Sequence, residues 1–583
     1  MSYANQTFYD LTNEYSQKST SKRVEASAIF HWNIFKNLDL SGVVGADYLL
    51  NEGLRIIPST AFSEISYPAN SKGELSQNKQ TELNATSNFR INYNFQIDKH
   101  DITIGANTDY YVTDHDGIGL TGHGLPSKIN TAAGINQGLS DYRRVNINSR
   151  KEKNAQFGFG AALGYSYNSI YDLYGSYKRD ASSLLPSDKR WNTAWSLGIG
   201  WRFSNYSFMK DNSILTDIKL RASYGYTAGM SGISSESTVP TYLYGTDEYA
   251  SGRSLSLKML YNKDLRPQQT KNINLGVDFV FFKQLTLGVE VYKNRTEDAI
   301  LSVPIPPSNG FTDMMRNIGV LDNKGFEVKI LGDVISQENF TWNAAMSISW
   351  NKNTVAKLYD GDKLYLSEGS LFPDLEVGQP IGVLYGLRSI GIHPIDGLPR
   401  FLSATGEEID YTHELIRDDF VKLGYSTPPY MGFFNNSLSY KSFTLSFDLY
   451  FSFGGIQKYN RNYVRDRSTI QFNAVKGQTQ DMWFKPGDEN KIYHTPNVPG
   501  SAYTILSHAT TETVFKTDFM RLNNIMLTYR MPANWLADKT NLIKYLQFNI
   551  QGQNLFTIKK ETDKASLVNV IQPVVTFGIN ATF

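Results

Sequence analysis

Two acidic stretches contain residue types that can bind a metal ion. Asp114-His-Asp116-Gly117 and Asp360-Gly-Asp362 both begin like a calcium-binding loop, in which oxygen ligands recur at alternate positions. Neither stretch has the later acidic residue that completes such a loop. We therefore expect both to form turns, and a calcium ion held in a long surface loop is the alternative.

The spacing of the histidines does not match a metal-binding motif. No HExxH sequence is present, and only His115 and His123 come close together, in what we interpret as one glycine-rich loop. A metal site at this pair is the alternative to two histidines without a ligand. The eight histidines are His31, His100, His115, His123, His393, His413, His494 and His508.

Catalysis is not indicated by any motif. Gly158-Phe-Gly160-Ala-Ala-Leu-Gly164 superficially resembles a dinucleotide-binding loop, but its spacing is wrong and no helix follows, so we place these glycines on the polar face of a strand. A Ser, His and Asp triad assembled from distant loops would leave no local mark, and no GxSxG element is present. The absence of cysteine excludes thiol catalysis, disulfides and Cys-ligated metals. We predict no enzyme activity, no catalytic residue, no metal ligand and no cofactor.

Aromatic and amide-rich stretches offer a different chemistry. The rings of Trp483-Phe484 and Tyr459-Asn-Arg-Asn-Tyr463 can stack on sugar rings or peptide side chains while neighbouring amides form hydrogen bonds. The alternative is that these loops pack on each other. The sequence leaves the substrate-binding residues unknown.

Composition excludes two large classes of protein. The chain has 583 residues, of which 41% are hydrophobic, yet no apolar run approaches the roughly 18 residues of a membrane-spanning helix. The 57 basic and 56 acidic residues give a net charge of +1, which predicts no nucleic-acid partner. Aromatic residues reach 13%, a share that suits the two interfaces of a membrane.

Alternation of apolar and polar residues is the main structural signal. Successive strand side chains point to opposite faces, so each alternating run predicts a strand with one apolar and one polar face. The runs are about 9–13 residues long, as a tilted strand needs to cross an outer membrane, and we count about 17 of them. They include residues 83–97, 157–167, 195–203, 273–281, 285–291, 342–350, 443–453, 546–551 and 575–583.

The connections between these runs come in two sizes. Tight turns are predicted at 35–38, 98–101, 282–284 and 440–442. Short turns on one side and long loops on the other are typical of an all-β, transmembrane, antiparallel up-and-down β-barrel, with the long loops extracellular. We expect the last run, 575–583, to close the ring and to face lipid. The long loops cover roughly 51–80, 112–152, 227–268, 298–322, 352–428 and 455–514.

A set of strand and turn motifs occurs in a fixed order along the chain. This ordered set resembles the SusC/RagA family of TonB-dependent outer-membrane transporters of Bacteroidetes-type bacteria, over nearly the whole chain. The motifs identify a scaffold and carry no substrate residues. They are Trp195-Ser-Leu-Gly-Ile-Gly-Trp-Arg-Phe203 with Ile218-Lys-Leu-Arg-Ala-Ser-Tyr-Gly225, Asn272-Ile-Asn-Leu-Gly-Val-Asp-Phe279, Arg316-Asn-Ile-Gly319 with Asn323-Lys-Gly-Phe-Glu327, Val377-Gly-Gln-Pro-Ile-Gly382, Phe519-Met-Arg-Leu-Asn-Asn-Ile-Met-Leu-Thr-Tyr529 and Gln551-Gly-Gln-Asn-Leu-Phe556.

The resemblance implies a plugged barrel of about 22 strands in the Gram-negative outer membrane. Such a protein imports oligosaccharides or peptides, is energised by TonB acting on the plug, and works with a SusD-like surface lipoprotein as its lid. We recognise no signal peptide, N-terminal extension or plug here. We therefore expect residues 1–583 to be the C-terminal portion of the barrel, about 17 of about 22 strands, with TonB reached only through a plug outside this chain.

Two other functions are compatible with the same strands. A passive porin-like channel requires the chain to close into a ring by itself, because open strand edges in lipid are costly. A surface adhesin or structural outer-membrane protein would bind a partner through its loops without passing a solute. All three functions place the strands against outer-membrane lipid.

Overall fold

The computed structural model of the protein is built mainly of β-strands. It describes residues 15–64, 66–126, 131–139, 143–207, 209, 212–230, 232–249, 252–359, 361–365, 372, 374–409, 413–458, 482–491, 509–539, 542–559 and 572–582.

Seventeen of the described strands belong to one antiparallel sheet, which confirms the predicted strand number. They are β1 (Ser16–Phe35), β2 (Leu38–Ile57), β3 (Glu74–Ile97), β4 (His100–His123), β5 (Asn146–Tyr167), β6 (Tyr171–Ser182), β7 (Trp191–Arg202), β8 (Leu215–Gly229), β11 (Gln268–Phe281), β12 (Leu285–Glu297), β15 (Val320–Ser336), β16 (Phe340–Lys357), β24 (Tyr430–Tyr440), β25 (Phe443–Phe453), β28 (Phe519–Arg530), β29 (Tyr545–Lys559) and β30 (Val574–Thr582).

Shorter elements lie in the connections between these strands. No helix among the described residues is both long and apolar enough to cross a bilayer. The short elements are β9 (Tyr242–Tyr249), β10 (Gly252–Leu257), β13 (Ile300–Pro304), β14 (Asp313–Asn317), β17 (Lys363–Leu364), β18 (Leu375–Glu376), β19 (Val383–Gly386), β20 (Arg388–Ile392), β21 (Pro399–Leu402), β22 (Glu408–Ile409), β23 (Val421–Tyr425), β26 (Ile456–Lys458), β27 (Val514–Lys516), α1 (Ser235–Thr238), α2 (Ala533–Lys539), and five 3-10 turns at 62–64, 132–134, 203–205, 307–309 and 417–419.

The first compact unit comprises Met1–Tyr165, Tyr174–Trp195 and Gly232–Arg266. Within it, β1 to β4 form a meander in which each strand pairs with the next, and the β2–β3 and β3–β4 registers have no shift. Positive φ angles at Asn37 (75°) and Asp98 (51°) close the two tight turns, as predicted for 35–38 and 98–101. Asn and Asp tolerate this left-handed conformation better than other non-glycine residues.

The second unit comprises Ser166–Leu173, Ser196–Ser231 and Pro267–Phe583. Its antiparallel pairs run in the order β8, β11, β12, β15, β16, β24, β25, β28, β29 and β30. The predicted tight turns at 282–284 and 440–442 are confirmed, with positive φ at Phe282, Lys283 and Lys441.

Strands in the first unit are longer than predicted. β1 to β5 have 20–24 residues each, so the predicted loops 51–80 and 112–152 are reduced to 58–73 and 124–145. The alternation of apolar and polar side chains stops before the strands end. Antiparallel pairing does not depend on it, because the pairing uses backbone N–H and C=O groups. The backbone pairing of the strands therefore continues through polar sequence.

Many large apolar side chains of the sheet are exposed, while most buried apolar residues lie in the connections or at strand ends. Ile29, Ile199, Leu275 and Phe577 are each more than half exposed. Buried clusters form instead around Leu75, Leu125 and Ile135 in the first unit, and around residues of 355–420 in the second. An exposed apolar surface of this kind is what lipid covers in a transmembrane sheet.

Candidate functional site: the polar face of the sheet

Glycines on the polar side of the sheet make room for charged side chains. In the first unit, Lys178 Nζ lies 3.1 Å from Asp109 Oδ1 and 2.9 Å from Asp180 Oδ1. A Cβ added at Gly158 would lie 2.7 Å from Asp109 Oδ2, and one at Gly160 would lie 3.0 Å from the Asn107 Oδ1 atom. These glycines therefore lie on the polar face of a strand, as predicted, and not in a nucleotide loop.

A series of ion pairs crosses the polar face of the second unit. Lys219 Nζ lies 2.6 Å from Asp172 Oδ2, and the Arg221 guanidinium donates to both carboxylate oxygens of Asp278 at 2.7 and 3.1 Å. Arg221 Nη1 also lies 3.6 Å from Glu290 Oε2. We call these five residues the charge ladder. Each of its cations has a carboxylate partner on the same face.

Glycines also flank the charge ladder. A Cβ at Gly200 would lie 3.0 Å from Asp172 Oδ2, one at Gly276 3.0 Å from Arg221 Nη2, and one at Gly288 3.1 Å from Asp278 Oδ1. The absence of side chains at these positions lets the long charged groups lie flat against the strands.

A second region of the same face has a different chemistry. The Phe433 and Tyr450 rings lie 4.9 Å apart, Tyr450 and Phe519 meet edge to face at 5.5 Å, and Tyr450 Oη lies 3.7 Å from Met431 Sδ. Arg521 Cζ lies 4.9 Å from the centroid of the Phe519 ring. We call Met431, Phe433, Tyr450, Phe519 and Arg521 the aromatic patch.

Irregular strand pairing adjoins the aromatic patch. The β25–β28 register shifts between Asp448 and Leu449, and the β28–β29 register shifts between Leu522 and Asn524. Asn554 on β29 has a positive φ of 53°. β-Bulges re-aim side chains and are frequent beside functional sites.

The acidic stretch at 114–117 is a strand and not a turn, so that prediction is wrong. Asp114 and Asp116 pair through their backbones with Leu83 and Thr81 in the β3–β4 ladder. Side chains of successive strand residues point to opposite faces, so this segment cannot wrap around a calcium ion. The two carboxylates instead lie 3.9 and 4.0 Å from lysines on the neighbouring segment.

The prediction that His115 and His123 share a glycine-rich loop is also wrong, because both lie on β4. Eight strand residues span about 27 Å, too far for one metal ion. His123 Nδ1 lies 2.8 Å from the Arg143 carbonyl oxygen, and Nε2 lies 3.6 Å from Glu74. In the described part of the chain, no cluster of three or more His, Asp or Glu side chains could hold a metal ion.

Only some of the predicted aromatic loop residues lie in the described part of the chain. Trp483 is buried and Phe484 is exposed. A Cβ at Gly397 would overlap the Trp483 ring, so this indole packs inside the connection and cannot stack on a substrate. The stretch Tyr459 to Tyr463 and residue Asp360 lie outside the described residues, whereas Gly361 has a positive φ of 72° as a turn requires.

The connections themselves are held by buried polar contacts. In the first unit, Arg143 Nη2 lies 2.5 Å from Glu64 Oε2, both side chains are about 5% exposed, and the guanidinium stacks 3.6 Å from the Tyr67 centroid. In the second unit, Tyr385 donates to Glu376 at 2.9 Å, and burial and this hydrogen bond raise the pKa of the Tyr385 hydroxyl. These contacts fix the loops that border the sheet.

A comparison with known protein families accounts for the two-faced sheet. The family model described as "TonB dependent receptor-like, beta-barrel" matches residues 2–555. The chain belongs to this family. Its members are receptors and transporters of the outer membrane, and in a membrane barrel the polar face is the inner one and the apolar face meets lipid.

Curated relatives carry the same family name. The chain is 28% identical to TonB-dependent receptor P39 of Formosa agariphila, over 68% of this chain and 42% of that protein. It is also 28% identical to TonB-dependent receptor SusC of Bacteroides thetaiotaomicron, over 57% of this chain and 33% of that protein. The chain thus spans less than half the length of these relatives.

Solved structures share the fold. The structure of the RagAB peptide transporter aligns with a TM-score of 0.81 at 22% identity, over 95% of this chain and 60% of that one. The same importer in its closed-closed state aligns with a TM-score of 0.79.

The aromatic patch was missed in the sequence. Tyr450 occupies a polar position in the alternating run 443–453. Met431 and Phe433 lie on either side of Gly432, shortly before Asn435 and Asn436. An aromatic residue at a polar position of a membrane strand is the signal that could have identified the site.

Proposed function

We propose that the chain forms part of the wall of an outer-membrane importer for oligosaccharides or peptides. The observation that carries this proposal is the two-faced sheet, on which the aromatic patch lies on a polar face opposite an exposed apolar face. A solute passing a membrane barrel meets the inner face. Membership of the TonB-dependent receptor family supports active import over passive diffusion.

The complete importer needs more than this wall. We propose that residues 1–583 supply the C-terminal portion of the barrel, that a plug belonging to the complete protein couples it to TonB, and that a SusD-like lipoprotein covers the extracellular mouth. The relatives named TonB-dependent receptor are longer than the matched region, which supports a division of this kind. Oligosaccharides and peptides are both proposed as substrates, and the similar structures include a peptide transporter.

Uptake in cells tests the proposal. The gene for the receptor that contains this chain is deleted in the producing bacterium, and uptake of labelled oligosaccharides and peptides is compared before and after loss of the proton gradient. We expect uptake of one class to disappear in both cases. Uptake that needs the gene but not the gradient would identify a passive channel, and unchanged uptake with lost surface attachment would identify an adhesin.

A further inference from the structure

The aromatic patch exposes apolar surface on a face that is mostly polar. Phe433 is 46% exposed and Met431 is 39% exposed, although both share their face with Ser347 and Ser349 through the β16–β24 register. Exposed apolar groups that cluster on a wet surface mark sites that a ligand or partner covers. The patch therefore has the properties of a binding site.

Arg521 gives this site a charge. Its Nε donates to Thr557 Oγ1 at 3.2 Å and its guanidinium stacks on Phe519, but among the described residues it forms no ion pair. Arg221 on the same face has two carboxylates within 4 Å. A guanidinium held against a ring with its remaining N–H groups open is suited to a carboxylate, which it can bind with two parallel hydrogen bonds.

Amide side chains border the patch. Gln551 Nε2 donates to Asn524 Oδ1 at 2.8 Å, Asn524 Nδ2 donates to Asp448 Oδ2 at 3.5 Å, and Asn435 is exposed on the adjacent strand. Side-chain amides offer both donors and acceptors, so they can pair with peptide N–H and C=O groups.

We propose that the aromatic patch binds a peptide segment that carries a carboxylate beside an apolar side chain. The carboxylate lies on the Arg521 guanidinium, and the apolar side chain lies on Met431, Phe433 and Tyr450. Met431 adapts well to varied apolar side chains because it is unbranched and flexible, and a neutral sugar would leave Arg521 without an anion. This assignment rests on the proposed function, because it places the subsite on the path of the imported solute and chooses peptides among its two cargo classes.

Binding to the purified receptor tests the subsite. The protein is extracted from outer membranes with its full chain, and its affinity is measured for a dye-labelled tripeptide that ends in leucine with a free carboxylate. The same tripeptide with an amidated C-terminus is the probe for the charge. We expect amidation to weaken binding to the unmodified protein about tenfold, the effect of about 1.4 kcal/mol.

Two variants and one control locate the effect. Arg521→Gln should bind both peptides equally, and Phe433→Ser should weaken both while keeping the tenfold ratio. Arg221→Gln removes a paired arginine of the same face and should leave both affinities unchanged. Heat-modifiable migration on gels checks that each variant is folded.

Several results would overturn the subsite. Equal binding of acid and amide, no binding of either peptide, equal effects of the two arginine variants, or displacement of the peptide by neutral oligosaccharides would each reject it. Uptake in cells is a separate readout. Loss of active uptake with intact acid-selective binding would reject the import proposal alone, and equal acid and amide binding with intact uptake would reject the peptide subsite alone.

Discussion

The charge ladder and the aromatic patch lie on one face of the second unit but differ in how their groups are satisfied. The register joins them directly, because Glu290 pairs with Glu327, Glu327 with Ser349, and Ser349 with Met431. In the ladder every cation lies within 4 Å of a carboxylate. In the patch a guanidinium stacks on a ring, and Met431 and Phe433 remain exposed.

This difference separates a structural part of the face from a part available to ligands. Paired charges that lie over glycines are satisfied within the protein and attract no ion strongly. Met431 and Phe433 are exposed near an arginine that forms no ion pair within the described part of the chain, so a ligand that covers them would stabilise this region. Variants in the two regions should therefore affect different measurements.

Close packing beside the ladder should give the largest loss of stability. Tyr292 crosses Gly325 to donate to Asn351 Oδ1 at 3.2 Å, and a Cβ at Gly325 would lie 2.5 Å from the Tyr292 hydroxyl and overlap the Trp350 carbonyl oxygen. Gly325→Ala forces backbone atoms apart and should destabilise the folded chain by about 1–3 kcal/mol. The temperature at which heat-modifiable migration is lost measures this effect.

Gly288→Ala is the matched control for Gly325→Ala. A Cβ there would lie 3.1 Å from Asp278 Oδ1, the end of a side chain that can move, and 4.0 Å from the Lys329 carbonyl oxygen, an ordinary van der Waals contact. Its transition temperature should stay close to that of the unmodified protein. Equal losses for the two variants would show that overlap with backbone does not decide the outcome.

Removing a ring from the patch should have a smaller effect on stability than removing one from the apolar face. Phe433 is half exposed on the polar face, so Phe433→Ser should change the free energy of unfolding by less than about 0.5 kcal/mol. Phe451 stacks on Phe453 at 5.5 Å on the apolar face, and Phe451→Ser should cost about 2 kcal/mol. Urea titration of both variants in one detergent makes the comparison.

The opposite ranking would contradict the division of the face. A large loss of stability for Phe433→Ser would show that its ring is packing, and the patch would then belong with the structural part.

Much of the sheet could be predicted from its alternating residues, because the alternation directly reports which face each side chain occupies. The same pattern located the tight turns, and it placed the glycines of 158–164 on the polar face. The beginning of β3 and the end of β4 could not be predicted in this way. Asp114 and Asp116 belong to no apolar alternation, and backbone pairing with the neighbouring strands places them in β4.

The candidate site was less accessible to sequence reasoning. Phe433 and Tyr450 lie on the two strands of one hairpin, whereas Phe519 lies on β28, well separated from them in sequence, and the observed β25–β28 register brings its ring to Tyr450. Each bulge beside them adds an extra residue, which moves the later residues of that strand to the opposite face. A single sequence shows the alternation within one strand but not the alignment between strands.

The ion pairs of the charge ladder should contribute little to stability. Arg221 and Asp278 have side-chain exposures of 43% and 33%, so water competes for both groups. A double-mutant cycle of Arg221→Gln and Asp278→Asn should give a coupling free energy of about 0.2–1 kcal/mol, falling as salt is raised. A coupling above about 2 kcal/mol that resists salt would mean that the pair is shielded from water. The charge ladder would then lie against another part of the receptor. In that case, what covers each region, and not the pairing of its own charges, would decide which region is structural and which is available to a ligand.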